Sequence, residues 1–363
     1  MLTIRSLNMN IKPLFGIDHP ILQAPMAGAS NPALVAAVCN AGGLGGLGAA
    51  AMPPDYLRQQ VQAIKQRTNQ PFNVNLFAPS SEIYDRDAKA GDQFHALLAG
   101  YHQEFDLGEV PPPASLFGPA EHQLQVLLDE KVPVISFHFG IEKTHVDTIH
   151  AAGLKVICTA THVSEAAFLE DMGVDAVIAQ GSEAGGHRGT FIGFHQDALI
   201  GTLALVPQIV DAISIPVIAA GGIMDARGIV ACHALGAQAV QLGTAFLGCP
   251  ESGISDAWQQ ALFTSDASQT IVTQAMSGKP ARGIRNRYLT EVEKLDEPLL
   301  PFPLQYAMSG TLRKQAAATG NPDFMAMWSG QGIGLLQSSG AAELMQNLIK
   351  ETAALRTELA SVD

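Results

Sequence analysis

The chain has 363 residues, 47% of them hydrophobic, and a formal net charge of −13. That length can bury a full core as one large α/β barrel with insertions or as two ordinary domains, and the negative charge, with no Lys/Arg cluster to offset it, argues against nucleic acid as a partner. The longest apolar run, residues 215–220 continuing through two glycines to Met224, is far short of the roughly 20 residues that cross a bilayer, and residues 1–10 lack the apolar stretch of a secretory signal, so a cytoplasmic protein with no membrane partner is expected.

Taken in chain order, short apolar, β-branched runs alternate with longer segments of helical period. A strand at 21–24 leads to a helix at 32–40, a strand at 44–47 to a helix at 54–67, and a strand at 72–76 to a long excursion over 79–119. The alternation resumes with a helix at 122–129, strand 134–137, helix 142–152, strand 155–159, helix 164–172 and strand 176–179. It ends with a helix at 203–213, strand 217–220, helix 226–235, strand 239–242, a Gly-, Pro- and Ser-rich excursion from about 248 to 337, and a closing helix at 341–359. Gly42, Gly153, Gly173 and Gly236 fall where these helices need a left-handed terminal residue. Continuous apolar strands separated by helices imply a parallel sheet buried on both faces. Eight of them predict a (β/α)8 TIM barrel with insertions after strands 3 and 8, in one domain spanning 1–363. Loops after the strands form the functional face of such a barrel, so 79–119 and 248–337 are expected to supply a lid over the site.

Some chemistries find no support. Cys39, Cys158, Cys232 and Cys249 form no C-x-x-C pair and are expected as buried thiols, and neither an H-E-x-x-H nor a short helical spacing among His138, His145 and His150 suggests a metal. A literal G-x-G-x-x-G at Gly43, Gly45 and Gly48 follows a helix rather than a strand, so it reads as a helix end and close packing, not a dinucleotide fingerprint. Ser182, between Gly181 and Glu183, is no nucleophile elbow.

Other strand ends do carry chemistry. The strand at 217–220 runs into Gly221-Gly222, whose backbone N–H groups can approach a ligand, and Asp225 then opens a helix whose N-terminus attracts an anion. Gln241-Leu242-Gly243-Thr244 repeats the device one βα unit later, with a hydroxyl added. Together they predict the phosphate site that barrels carry after strands seven and eight. The glycine-rich run from Gln180 through Gly185 and Gly186 to Gly189 presents His187, which can exchange a proton near neutral pH. Ala24-Pro25-Met26 ends the first strand, with Met26 placed to lie against a flat ring; Asn75 ends the third and suits a phosphate or a ring edge; His138 follows the fourth on the same face, a candidate for substrate contact.

These pieces, Gln23-Ala-Pro-Met26, Ala41-Gly-Gly-Leu-Gly45, Phe72-Asn-Val-Asn75, Gln180 with Gly185-Gly-His-Arg-Gly189, Ala220-Gly-Gly-Ile223 and Gln241-Leu-Gly-Thr244, resemble the nitronate monooxygenases over roughly residues 14–250, and the Gly-Gly-His-Arg-Gly run is similar to class I of that family. The resemblance implies FMN held by Asn75, Gln180, Gly185, Gly222 and residues 241–244, with His187 as the catalytic histidine. It also implies an alkyl nitronate such as propionate 3-nitronate, or a neutral nitroalkane, as substrate, with O2 as co-substrate and a carbonyl compound and nitrite as products. Trp328-Ser-Gly-Gln-Gly332 is similar to a family segment whose contact the sequence does not assign. The alternatives are an NAD(P)H-dependent quinone or enoyl-thioester reductase on the same barrel, against which the Gly-Gly-His-Arg-Gly run argues, and a flavin-free isomerase or aldolase, for which no lysine stands at a strand end.

Overall fold

A computed structural model of the chain describes residues 11–78, 88–112 and 120–361. Residues 1–10, 79–87 and 113–119, the last two being parts of the first excursion, and 362–363 fall outside them.

Eleven strands occur among the described residues: β1 (Ile21–Gln23), β2 (Gly46–Gly48), β3 (Asn73–Phe77), β4 (Val134–His138), β5 (Lys155–Ala160), β6 (Ala176–Gln180), β7 (Gly186–His187), β8 (Val217–Ala220), β9 (Ala239–Leu242), β10 (Thr270–Thr273) and β11 (Ala281–Ile284). Eight form one parallel sheet in the order β1-β9-β8-β6-β5-β4-β3-β2. A parallel bridge from Leu22 to Leu44 joins the two ends, so the sheet closes into the expected TIM barrel. The closing seam is thin in backbone bonds, and a side chain reinforces it. Gln23 accepts from the Gly46 N–H at 2.9 Å and donates to the Gly46 carbonyl at 3.1 Å, doing for β1 and β2 what a ladder rung would do.

The second predicted strand, 44–47, is displaced to Gly46–Gly48, because Leu44 keeps only its bridge and pairing with β3 starts at Gly46 opposite Asn73. Gly45 lies against the preceding helix, where a Cβ would stand 2.3 Å from the Val35 carbonyl oxygen; the glycine pattern there serves packing. Strands β3 to β6 each run one residue past their predicted ends, and His138, opposite Phe77, and Gln180, opposite Ala220, are strand residues.

Side-chain alternation divides the core into shells. Ile157, Ile178, Ile218 and Ala239 face inward, where the helix Ile11–Phe15 adds Ile11 and Phe15 to their cluster. Val156, Val177, Val217 and Val240 face outward, in a cluster with residues of the surrounding helices such as Leu34, Leu205 and Leu344. The first of those helices, Pro32–Asn40, starts where Asn31 accepts from the Ala33 and Leu34 N–H groups.

Within the described residues, both excursions contain helices. The second contains the helices Asp256–Thr264, Arg287–Val292, Leu304–Met308 and Gly310–Thr319, and shares a buried core with Phe94, Leu98 and Tyr101 of the helix Asp92–Glu104 in the first. Strands β10 and β11 pair antiparallel, and β11 then pairs with β7, placing Ala281 opposite His187. Among the described residues, no helix is long and apolar enough to cross a membrane.

Candidate active site

A cavity of about 250 Å³ opens at the C-terminal ends of the barrel strands, far more than the roughly 10–15 Å³ that one water requires. Of the residues the sequence singles out, Ala24, Pro25, Met26, Asn75, His138, Gln180, Gly185, Gly186, His187, Gly221, Gly222, Gln241, Gly243 and Thr244 all line it. Leu242 does not. It is fully buried in the outer shell, because alternation that turns Gln241 inward must turn its neighbour outward, and only its carbonyl serves locally, accepting from the Ala24 N–H at 2.8 Å.

One end of the cavity is built of backbone. Gly221 and Gly222 have φ of +110° and +73°, a conformation that side-chain-bearing residues rarely adopt, and it turns the chain sharply at the end of β8. Gly243 leaves an opening whose nearest atoms would be Ala24 Cβ at 3.6 Å and Met26 Sδ at 3.7 Å. Thr244 Oγ1 accepts from the Gly330 N–H at 2.9 Å, which leaves its own hydrogen to donate. The helix Ala226–Ala234 is capped by Asp225, whose carboxylate accepts from the Arg227 and Gly228 N–H groups, so those two donors are taken by the protein's own anion. The short helix that starts at Thr244 has no side-chain cap.

Amide side chains add acceptors. Asn75 donates to the Ser136 carbonyl at 3.2 Å and to its hydroxyl at 3.0 Å. Because a carbonyl can only accept, the amide orientation is fixed and Oδ1 remains for a donor, which favours a ring edge over a phosphate. Gln241 Oε1 is buried with no partner among the described residues, an acceptor awaiting an N–H. Gln180 is largely committed to the loop, donating to the His187 carbonyl at 3.0 Å and accepting from the Gly189 N–H at 2.8 Å.

His187 sits above the cavity within aromatic rings, with centroid distances of 5.3 Å to Phe302, 5.4 Å to Trp328, 6.0 Å to Phe139 and 6.1 Å to Phe77. Enclosure holds its pKa down to about 3, and the charges of His138 and Lys279 push the same way. The ring is therefore neutral at physiological pH. Its Nε2 lies 2.9 Å from Ser277 Oγ. His138, pulled down to about 4 by burial, bonds through Nε2 to the His187 carbonyl at 3.1 Å and through Nδ1 to Thr159 Oγ1 at 3.2 Å. Since the carbonyl only accepts, Nε2 of His138 carries the hydrogen. His138 thus shapes the loop that holds His187. The next residue, Arg188, is fully buried and fastens that loop from below, donating to the carbonyls of Gly181 at 2.6 Å, Gln180 at 2.9 Å and Ala198 at 3.1 Å.

Phe77, Phe139, Ser277, Lys279 and Phe302 escaped the sequence reading. Phe139 has φ of +72°, uncommon for an aromatic residue, and Lys279 Nζ lies 4.1 Å over its ring. The Trp328–Gly332 segment does reach the site: Trp328 packs on His187, and Gly330 bonds Thr244. No cluster of His, Cys, Asp and Glu able to hold a metal occurs among the described residues.

A family model described as nitronate monooxygenase matches residues 8–351. A probable nitronate monooxygenase of Staphylococcus saprophyticus is 42% identical over 348 residues, 95% of this chain and 98% of the relative. One from Staphylococcus haemolyticus is 42% identical over 353 residues, covering 96% and 98%. Among solved structures, a nitroalkane oxidase from Streptomyces ansochromogenes superposes with a TM-score of 0.87 at 40% identity, covering 96% of this chain and 99% of that one. FabK from Thermotoga maritima superposes at 0.77 with 30% identity, covering 97% and 98%.

Proposed function

We propose, from the premise that the chain belongs to the nitronate monooxygenase family, that His187 is the catalytic base of a site that accepts neutral nitroalkanes as well as preformed nitronates. The protein is an FMN-dependent oxidoreductase acting on alkyl nitronates with O2. The observation that carries the proposal is a neutral imidazole held in an aromatic enclosure at a cavity that is also lined by the two glycine turns and by acceptors without partners. The residues fit FMN. Gly221, Gly222, Gly243 and Thr244 would hold its phosphate, Asn75 and Gln241 would accept from its ring edge, and Met26 would lie against the ring. FMN, when bound, supplies the electron-accepting ring and the oxygen chemistry.

The chain's own part in the reaction of a nitroalkane is proton removal. His187 takes the proton from the carbon next to the nitro group, the C–H electron pair moves onto that group, and a nitronate results. Phe77, Phe139, Phe302 and Trp328 keep water from the acquired proton and the anion. A similar nitroalkane oxidase at 40% identity supports nitroalkanes as substrates. The packed excursions support a chain acting as one domain, with the second layer as its lid, and four buried free thiols support a cytoplasmic setting.

The test is His187→Asn, assayed on a nitroalkane and on its preformed nitronate. The nitroalkane reaction is expected to fall by roughly 10²–10⁴-fold, with the nitronate reaction much less affected. Equal losses with full flavin content would make His187 a binding group instead. Anaerobic mixing with a nitronate and, separately, with NADH decides against a reductase: only the nitronate is expected to bleach the flavin.

A further inference from the structure

The hydrogen-bond chain behind His187 has a direction. Ser277 Oγ stands 2.9 Å from His187 Nε2 and 3.0 Å from the Lys279 carbonyl, and the Lys279 N–H points at the same oxygen from 3.4 Å. A hydroxyl has one hydrogen, and the carbonyl can use nothing else from it. If Ser277 donates to Lys279 O, then His187 must donate through Nε2, and both acceptors are satisfied. If Ser277 donates to His187 instead, the Lys279 carbonyl loses that partner and one bond disappears. Two bonds against one favour the first arrangement.

The serine is also held firmly. It is fully buried in a turn closed by bonds from the Ser277 and Gly278 N–H groups to the Gln274 carbonyl at 3.2 and 2.8 Å. Gly278 lies so close to the next segment that a Cβ would stand 2.2 Å from the Leu300 carbonyl oxygen. Gln305 fastens the same turn by donating to the Ala275 carbonyl at 3.0 Å. The pairing of β7 with β11, and the Arg188 N–H bond to the Pro280 carbonyl at 2.8 Å, set the His187 backbone in register with the turn. His187 Nδ1 has no hydrogen-bond partner among the described residues, and the residue lines the cavity.

We infer that Ser277 is a positioning residue that fixes His187 as the Nε2–H tautomer and leaves Nδ1 as the nitrogen that takes the substrate proton. This rests on His187 being the base. The C–H bond breaks, an Nδ1–H bond forms, and the electron pair passes to the nitro group. The imidazolium so formed keeps its Nε2–H bond to Ser277, so the relay need not rearrange during the step. The titratable and charged groups that face the ring are His138 from β4 and Lys279 from the turn before β11.

The experiment is long-range ¹H–¹⁵N correlation of ¹⁵N-histidine-labelled holoenzyme near neutral pH, with His187→Asn to assign the signal. The wild type is expected to show Nε2 protonated and Nδ1 bare. Ser277→Ala should move both nitrogens toward averaged shifts and lower the ratio of nitroalkane to nitronate turnover by on the order of tenfold or more, and Ser277→Thr, which keeps the hydroxyl, should restore both. A wild-type ring protonated at Nδ1 overturns the inference without any variant having to fold. So does a Ser277→Ala enzyme with an unchanged turnover ratio and a single fixed tautomer. Should His187→Asn prove harmless to nitroalkane turnover, the base assignment fails while the tautomer measurement stands.

Discussion

Arg188→Met removes the fastening beneath the His187 loop while roughly preserving side-chain volume. Three buried carbonyls, those of Gly181, Gln180 and Ala198, then lose a charged donor. The Gly181 carbonyl keeps the Ala184 N–H and loses only a charged bond, while the other two are left unsatisfied at about 1–3 kcal/mol each; part of the loss is returned because a guanidinium no longer has to be desolvated, so a net destabilisation of about 3–6 kcal/mol is expected. At about 2.1 cal/mol/K per residue over 363 residues, the unfolding entropy is near 0.76 kcal/mol/K, and the melting temperature should fall by about 4–8 °C. Scanning calorimetry of the flavin-loaded protein measures this, and turnover of the surviving folded enzyme reports whether His187 has moved. Arg188→Lys should recover part of the stability, since an ammonium reaches fewer of the three carbonyls. An unchanged melting temperature combined with a raised KM for the nitronate would refute the reasoning, because it would mean that the guanidinium acts on the anionic substrate and not on the chain.

Gly222→Val forces a branched residue into φ of +73° at the cradle, and the purified variant is expected to have lost most of its FMN, read from the ratio of flavin to protein absorbance. Full yellow colour would reduce Gly221-Gly222 to a strand terminus. Because burial holds His187 near pKa 3, its base form persists as pH falls through 6.5, so kcat/KM for a nitroalkane should show no inflection near 6.5. An inflection there would place the ring in ordinary solvent. The same depression carries a sign for stability: the unfolded histidine gains its proton near pH 6.5, the folded one far lower, so the folded state is relatively favoured above about 6.5 and loses ground as pH falls toward 3. Gln23→Leu leaves the Gly46 N–H and carbonyl unpaired on the barrel seam and is expected to cost about 2–4 kcal/mol of stability in denaturant unfolding, with kcat little changed in the folded fraction.

The barrel was legible because its central strands are apolar runs of the right length between helices of clear period, and β8 and β9 fall on their predicted bounds. The seam was not, since β2 is Gly46-Leu47-Gly48 and its pairing depends on a glutamine side chain some twenty residues earlier. That the Leu242 side chain lies outside the cavity follows from the period-two alternation, which a motif read as a run hides. The layer formed by the excursions left little trace, because short helices linked through Gly, Pro and Ser look like loop, and its core joins residues near 98 to others near 324. For the same reason Ser277, Lys279 and Phe302 were invisible. What makes them site residues is the fold that carries them over the barrel, not any feature of their local sequence. The Trp328–Gly332 segment shows an intermediate case, recognisable as a unit but with contacts decided by the bridge from Trp328 to Gly283.

The antiparallel pairing of β7 with β11 also sets an order of assembly. All eight strands of the barrel, and with them the glycines at the ends of β8 and β9 proposed to hold the phosphate, leave the ribosome before the segment that gives His187 its sheet partner, its serine and two of its rings. A growing chain thus possesses the residues proposed to hold the cofactor before those proposed to orient the base beside it. Last of all comes the helix Ala341–Ala360, whose Leu344, Met345 and Leu348 complete the outer core, so the packing that steadies the whole barrel is the final contribution of the polypeptide.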